Sequence, residues 1–434
     1  MLRDRATLDD ARPVRGLWED TAFPPPPTAP IRETATAEVA VIGAGYTGLS
    51  AALHLALAGT SVVVLESFDI GFGASGRNVG LVNAGMWVSP DQVCATLGAH
   101  YGERLLRVLG DAPRLVFDLI DKYGIQCEPE RRGTLHCAVG NGGLRDLERR
   151  AAQWKARGAP VQLLTAGETA EKLGTHGYAG SLWDLRAGTI QPLGYVRGLA
   201  RAAIDAGARL FTQSPVLSAS RDHHTWTLRT EQGAAQAKWI VLATDAYTTG
   251  PWPEIDVEQV HLPYFNVSTA PLDAELLPSI LPERQGAWDT QTVLCSFRLD
   301  RAGRLIFGSI GALEGMGGYV HTRWAKRAIK KIFPQLGDTR LERAWYGTIG
   351  MTANKLPRFH KLAPNVVAFS GYNGRGIAPG TLFGRMLADY IVGAQPESEL
   401  PLPVTEVRAP ALRSLKQSFY SLGSQLVHAA QARF

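Results

Sequence analysis

Gly43-Ala44-Gly45-Tyr46-Thr47-Gly48 places glycine at the first, third and sixth positions of a six-residue run. Glycine at the first permits a tight turn. At the third it lets backbone approach a pyrophosphate, and at the sixth it lets a helix press against a sheet. Glu66 follows Gly48 by 18 residues, where a carboxylate accepts hydrogen bonds from ribose hydroxyls. Phosphates then sit at a helix N-terminus, where free N–H groups and a partial positive charge converge. The chemistry is dinucleotide binding. The glycines do not separate NAD from FAD.

Two further stretches do. After Glu66 comes Ile70-Gly71-Phe72-Gly73-Ala74-Ser75-Gly76-Arg77-Asn78-Val79-Gly80. An NAD fold usually continues into helix here, whereas a small-residue loop can wrap a pyrophosphate and run on toward a flavin ring. Much later, Val366–Ser370 leads into Gly371-Tyr372-Asn373-Gly374-Arg375-Gly376-Ile377-Ala378-Pro379-Gly380-Thr381 and then a helix. That helix N-terminus suits negative charge developing on a reduced flavin. Two glycine turns more than 300 residues apart fit one elongated cofactor, FAD.

These turns need a scaffold. Val39–Ile42 and Thr60–Leu65 read as strands covered on both faces, with a helix over Thr47–Ala58 between them: a βαβ unit. Further on, helical periodicity covers 105–123, 143–157, 192–206, 324–333 and 381–392. Strand-like runs cover 133–139, 209–212, 226–230, 238–244, 260–270, 293–299, 304–309, 343–349 and 366–369. The expected class is α/β, with α+β character in the second domain. A Rossmann-like FAD-binding domain (38–90, 180–250 and 340–405) is interleaved with an antiparallel-sheet substrate or cap domain (91–179 and 251–339). Residues 1–37 read as an irregular arm and 406–434 as a basic amphipathic C-terminal helix. In that helix Leu412, Leu415, Phe419, Leu422, Leu426 and Ala430 recur at three- and four-residue steps, and no acid follows Glu406.

The 434 residues are 45% apolar and 20% charged, with a net charge of +5, which excludes disorder and a disulfide scaffold. Basic residues are spread along the chain, so nucleic acid is not an expected partner. Four scattered cysteines and ten histidines without ligand spacing predict no metal site. Residues 39–65 lack Asp, Glu, Lys and Arg, but their glycines belong to the nucleotide turn rather than to a membrane span. The charged first twenty residues are no signal peptide. The expected location is the cytoplasm, with peripheral membrane contact through 411–434 as the sharper reading of the amphipathic helix and packing on the body as the other.

The stretches VAVIGAGYTGLSAALHLA, IGFGASGRNVGL, AGTIQPLGYVRGLARAAIDAGARL, IVLATDAY, RLIFG and FSGYNGRGIAPGTLFG, with the early LWEDT, resemble the D-amino-acid-oxidase (DAO) superfamily of FAD-dependent amine oxidoreductases. The branch resembled is that typified by gamma-glutamylputrescine oxidase. The resemblance spans about residues 15–403. It implies cofactor contacts from Gly43, Ala44, Gly45, Tyr46, Thr47, Gly48 and Glu66. From the loop it implies Ala74, Ser75, Gly76, Arg77, Asn78, Gly80 and Leu81. It adds Val216, Ala243, Thr244, Trp345, Gly347, Gly371, Asn373, Gly374, Gly376 and Ile377. Three positions depart from the family pattern: Val79, Asp245 and Asn354. No cysteine follows Cys295, so FAD is expected to be non-covalent. Ala378 stands where sarcosine oxidases carry a carboxylate-binding lysine.

The resemblance implies oxidation of a primary or secondary amine or amino acid to an imine by hydride transfer to flavin N5. Gamma-glutamylated polyamines and cyclic imino acids are candidate substrates, and oxygen or a quinone is the acceptor. An NAD dehydrogenase and a non-catalytic flavin-bearing subunit are the competing readings. No catalytic acid or base is evident. Candidate pocket residues are Tyr264 and Phe265 on a strand roofing the flavin, Arg298 as a carboxylate clamp, His321 beyond a glycine-rich lid (GALEGMGGY), and Tyr346. Each has an ordinary alternative as packing, or, for Arg298, as an ion pair with Asp300. Trp345 and Tyr346 alternate along a strand, so only one can face the flavin.

Overall fold

The computed structural model describes residues 16–430. The first of two large sheets runs in the order Arg358–Ala363, Val366–Ser370, Ala234–Leu242, Thr34–Ile42, Val62–Leu65, Arg209–Phe211. Its central pairings are parallel. Val39 and Val41 enter one apolar cluster, and Ala40 and Ile42 enter another on the opposite face. Burial on both faces explains the continuous apolar runs that made these strands readable. The hairpin Ser218–Asp222/Thr225–Arg229 extends the sheet at Ala234–Leu242.

The second sheet runs Leu341–Met351, Val260–Pro271, Arg304–Ile310, Cys295–Leu299, Gly286–Asp289, Thr134–Cys137, Ser181–Asp184, Val161–Leu164. All neighbours are antiparallel except Gly286–Asp289 with Thr134–Cys137. Alternation gives it two distinct faces. Phe265, Val267, Phe297 and Phe307 pack with Trp324, Ala328 and Ile329 of the helix Met316–Ile332. The other face, carrying Tyr264, Asn266, Ser296 and Arg298, turns toward the glycine loops of the first sheet.

Several expectations need correction. Ser181–Asp184 and Leu341–Met351, placed on the cofactor side, are strands of the second sheet. The arm is not irregular from Gly16 on. A short helix, Leu17–Thr21, buries Trp18, and Ile31 is buried as well; residues 1–15 lie outside the described chain. The glycine-rich segment before His321 is no loop up to Trp324, because the helix begins at Met316.

Two helices carry the glycine turns at their N-termini: Tyr46–Leu57 and Ile377–Ile391. They cross closely because the second presents glycine at the contact. A Cβ on Gly380 would lie 3.2 Å from Thr47 Oγ1, and one on Gly384 would overlap the Thr47 carbonyl. Ser50 Oγ donates to the Thr381 carbonyl at 2.6 Å, and the Thr47 and Tyr372 hydroxyls share a hydrogen bond at 2.6 Å.

The C-terminal helix, Arg413–Ala430, packs by its polar side. Arg413 donates to Asp256 Oδ2 at 2.9 Å and to the Gln259 carbonyl at 2.7 Å. His428 is buried, stacked on Trp324 at 3.7 Å between ring centres. The apolar stripe of Leu412, Leu415, Phe419, Leu422 and Leu426 faces outward, each residue more than 60% exposed.

Candidate active site

Gly43 adopts φ +104°, a conformation that strains any other L residue. Its position is tight: a Cβ there would lie 2.9 Å from the Ala243 carbonyl, so Ala243 and Thr244 border the turn. No side chain caps the helix that follows. Glu66 stands at the end of the adjoining strand. Its Oε2 accepts the Ala44 N–H at 2.7 Å and its Oε1 the Phe68 N–H at 3.0 Å, while burial raises its pKa. The Ser214 N–H donates to the Glu66 carbonyl at 2.8 Å, which brings the loop carrying the buried Val216 alongside.

The 74–81 loop folds back onto this turn. Ser75 Oγ accepts the Tyr46 N–H at 3.1 Å, the Tyr46 hydroxyl donates to the Ser75 carbonyl at 2.6 Å, and Asn78 Nδ2 donates to the Tyr46 hydroxyl at 3.1 Å. Three successive carbonyls of the loop are then held by side-chain donors. Arg77 O accepts from Asn266 Nδ2 at 3.0 Å and Trp345 Nε1 at 3.1 Å. Asn78 O accepts from Trp18 Nε1 at 2.9 Å, and Val79 O from Arg298 Nε at 2.9 Å. Gly80 follows at φ +89° and leads into the short strand Leu81–Val82. Ala74, Ser75 and Gly76 form a single 3-10 turn.

Asp245, half-buried just after the strand Ala234–Leu242, reaches the second glycine turn. Its Oδ1 accepts the Gly371 N–H at 2.7 Å and the Gln259 amide at 2.9 Å, and burial raises its pKa. Asn373, at φ +52°, accepts the Thr352 N–H at 2.9 Å through Oδ1 and donates to the Gly371 carbonyl. Gly374 lies against Ile349 and Trp87, and Gly376 opens the Ile377 helix, which also has no side-chain cap.

The cradle formed by these pieces fits FAD. A Cβ on Gly45 would lie 2.9 Å from Ser75 Oγ, so the glycine turn and the 74–81 loop meet here with no room for a side chain between them. Two helix N-termini supply N–H donors and the half-buried Glu66 carboxylate supplies an acceptor, the set that a pyrophosphate, a ribose and a reduced ring require. Among the described residues no group of three His, Cys, Asp or Glu side chains is arranged to hold a metal.

The pocket candidates do not gather at one place. Tyr264 faces the loops, its hydroxyl bonded to Ser296 Oγ at 2.7 Å. Phe265 points to the opposite face, stacked on His321 at 5.2 Å between ring centres. His321 is buried there with His428, their Nδ1 atoms 2.8 Å apart. Tyr346 pairs with Phe265 in register, so it shares that far face and bonds Glu314. Trp345 and Gly347 take the cofactor side, as Gly347 lies against Arg77 and Tyr247. Arg298 is buried and occupied by the Val79 carbonyl and by Thr189 Oγ1 at 3.4 Å, with its guanidinium over Trp18. Its Nε braces the 74–80 loop while its Nη2 has no hydrogen-bond partner, and Asp300 is bonded to Arg304 rather than to Arg298.

The cofactor-facing wall contains residues that the sequence reading passed over: Trp18, Trp87, His136, Asn266, Trp288 and Arg375. Trp288 stacks on His136 at 3.4 Å and lies edge-on to Trp87 at 4.8 Å. Arg375 had a usable signal, being the one charged residue in its glycine turn. The tryptophans had none.

Fold and cradle together define a flavoprotein oxidoreductase built on a dinucleotide-binding sheet. The family model described as DAO, FAD dependent oxidoreductase, matches residues 38–390, and the chain belongs to this family. FAD is its cofactor, and no cysteinyl link is available after Cys295. The chain is 31% identical over 412 residues to gamma-glutamylputrescine oxidoreductase of Escherichia coli, covering 91% of this chain and 92% of that protein. It is 32% identical over 388 residues to the probable oxidoreductase OrdL of Haemophilus influenzae, covering 86% of each. Among solved structures, glycine oxidase from Geobacillus kaustophilus superposes with a TM-score of 0.70 at 21% identity, over 86% of this chain and 99% of that one.

Proposed function

We propose that this oxidoreductase oxidises a primary or secondary amine to an imine, and that its substrate is of the gamma-glutamylated amine type named for the Escherichia coli relative. The observation that carries the reading is the convergence of both glycine turns on one cradle roofed by the polar face of the second sheet. Bound FAD supplies the acceptor for a hydride from the carbon next to nitrogen. The chain's own residues bind and orient. The Tyr46 helix N-terminus takes the phosphates and Glu66 the ribose. The braced 74–80 loop fixes the cofactor's approach, and the Ile377 helix N-terminus favours negative charge on the reduced ring. The sheet above excludes water.

The test is an anaerobic visible spectrum recorded before and after addition of a panel of amines and amino acids. Bleaching by gamma-glutamylated diamines, with colour restored by air, supports an oxidase. Bleaching that only a quinone reverses supports a dehydrogenase. Flavin that no amine bleaches overturns the reading.

Membrane contact is the second part of the proposal. The outward stripe on the C-terminal helix, with exposed Met316 and Tyr319 on the neighbouring basic helix, supports peripheral binding to an anionic bilayer. No helix among the described residues is long and apolar enough to cross one.

A further inference from the structure

Arg375, like Arg298, is a buried arginine outside the described ion pairs. It is only 7% exposed, yet it forms no ion pair with any described carboxylate. Its guanidinium packs against a pair of perpendicular indoles, 5.0 Å from the Trp87 ring centre and 4.7 Å from that of Trp288, which are themselves 4.8 Å apart. Its Nη1 donates to the Ala84 carbonyl at 3.3 Å, while its Nε has no partner. The nearest acid to influence it, Asp184, is committed to Arg186 through bonds of 2.9 and 2.7 Å. Arg150 adds repulsion, and burial lowers the Arg375 pKa to about 9. His136 completes the wall beside Trp288; burial and the two arginines hold its pKa well below the ordinary imidazole value, so it brings no competing cation.

A buried guanidinium without a counter-ion is costly unless an anion completes it. The flanking indoles leave its edge open, and a planar edge-on donor fork matches a carboxylate. The position is informative too. The backbone of the turn lies beneath Leu341–Met351, where the Asn373 N–H donates to the Gly350 carbonyl at 3.2 Å. Trp288 on Gly286–Asp289, well removed from Leu341–Met351 in the sheet order with three strands between them, nevertheless comes within reach of the Arg375 side chain. An anion held there lies a side chain's length from the turn, and a gamma-glutamylated amine carries its carboxylate on the glutamyl end, away from the carbon beside the oxidised nitrogen. Ala378, in the first turn of the helix, brings no cation closer.

We propose that Arg375, packed against Trp87 and Trp288, receives a carboxylate on the amine substrate, carried at the end remote from the oxidised carbon. This rests on the amine-oxidation reading for the word substrate, but the site itself is tested separately. The holoenzyme is titrated with glutarate and with glutaramide, its neutral counterpart, following tryptophan fluorescence. Glutarate is expected to bind about ten- to a hundredfold more tightly than the diamide. Arg375→Gln is expected to bring that ratio to about one, and Arg375→Lys to restore part of it, with flavin absorbance and melting temperature confirming a folded protein. Turnover gives the second arm. KM for an amine with a remote carboxylate should lie at least about tenfold below that of its amide, and Arg375→Gln should erase the difference. Equal binding of glutarate and glutaramide, or a ratio unchanged in Arg375→Gln, overturns the proposal. So does selectivity for α-amino acids alone, which would put the carboxylate beside the reacting carbon. If glutarate binds through Arg375 while no amine bleaches the flavin, the anion site stands and the amine reading falls.

Discussion

Asp245 Oδ1 accepts the Gly371 N–H at 2.7 Å, joining the end of the first sheet to the second glycine turn across 126 positions of sequence. The same oxygen takes the Gln259 amide at 2.9 Å, so a single half-buried carboxylate fixes the turn to two separate segments.

Asp245→Ala leaves both donors buried without a partner, at a cost of about 1–3 kcal/mol for each. FAD affinity and melting temperature should both fall. Asp245→Asn keeps an acceptor oxygen and should recover most of the loss. Unchanged FAD affinity in the alanine variant, measured by equilibrium titration, would remove Asp245 from the cofactor scaffold.

Gly45→Leu should give a colourless protein. The new Cβ would begin 2.9 Å from Ser75 Oγ, and the remaining side chain would push the 74–80 loop away from the turn expected to hold the pyrophosphate. The flavin-to-protein absorbance ratio is the measurement, and a wild-type ratio would refute the cradle assignment.

Arg298 and Arg375 are both buried arginines on the cofactor side, but their expected phenotypes differ. Arg298→Leu leaves the Val79 carbonyl without its donor and should loosen the 74–80 loop by about 1–3 kcal/mol. KM for carboxylated and neutral amines should shift together, since Nε and Nη1 of this arginine are committed to the Val79 and Leu299 carbonyls and Thr189. A selective loss on carboxylated amines would return Arg298 to the role of ligand clamp.

The His321–His428 contact makes the C-terminal helix sensitive to acid. With Nδ1 atoms 2.8 Å apart, one ring must donate and the other accept, so two protonated rings cannot share the bond. Burial lowers the His321 pKa from 6.5 to about 4, so the unfolded chain takes up a proton before the folded one does. The contribution is therefore complete above pH 6.5 and lost as pH falls toward 4. Arg327, bonded to the His428 carbonyl at 2.7 Å, adds further positive charge. Limited proteolysis should release the helix faster at pH 4.5 than at pH 7. Equal rates would show that the pair does not govern docking.

Replacing Leu415, Phe419 and Leu422 by serine should leave flavin content and melting temperature unchanged, since all three side chains are exposed. Flotation with anionic vesicles should be lost. Removing 411–434 should also spare the flavin, because no described contact joins this helix to the glycine turns. If wild-type protein does not float but is dimeric, and the serine variant is monomeric, the stripe pairs two copies instead.

Local pattern carried much of this structure. Val62–Leu65 was legible because a strand buried on both faces must be continuously apolar. The glycine turns were legible because backbone conformation and close approach admit no other residue at Gly43. Alternation gave the choice between Trp345 and Tyr346 but not its sign. The missed features depend on partners distant in sequence. Nothing around Trp288 announces that Arg375 will lie over it, and nothing in Arg298 announces the Val79 carbonyl. The C-terminal helix was readable as amphipathic, but the side it buries is decided by Trp324 and Asp256. Both of those lie on other segments.

The glycine-mediated crossing of the Tyr46 and Ile377 helices also bears on synthesis. The first turn emerges from the ribosome early, but the helix that completes its cradle ends at Ile391. The strand Thr34–Ile42 likewise lacks one neighbour until Ala234–Leu242 has been made. A nascent chain must therefore keep an open, apolar nucleotide half-site in solution while more than three hundred residues follow. Capture of the cofactor becomes a closing event of biogenesis. A supply of free flavin should then raise the yield of folded protein after chain release, rather than during elongation.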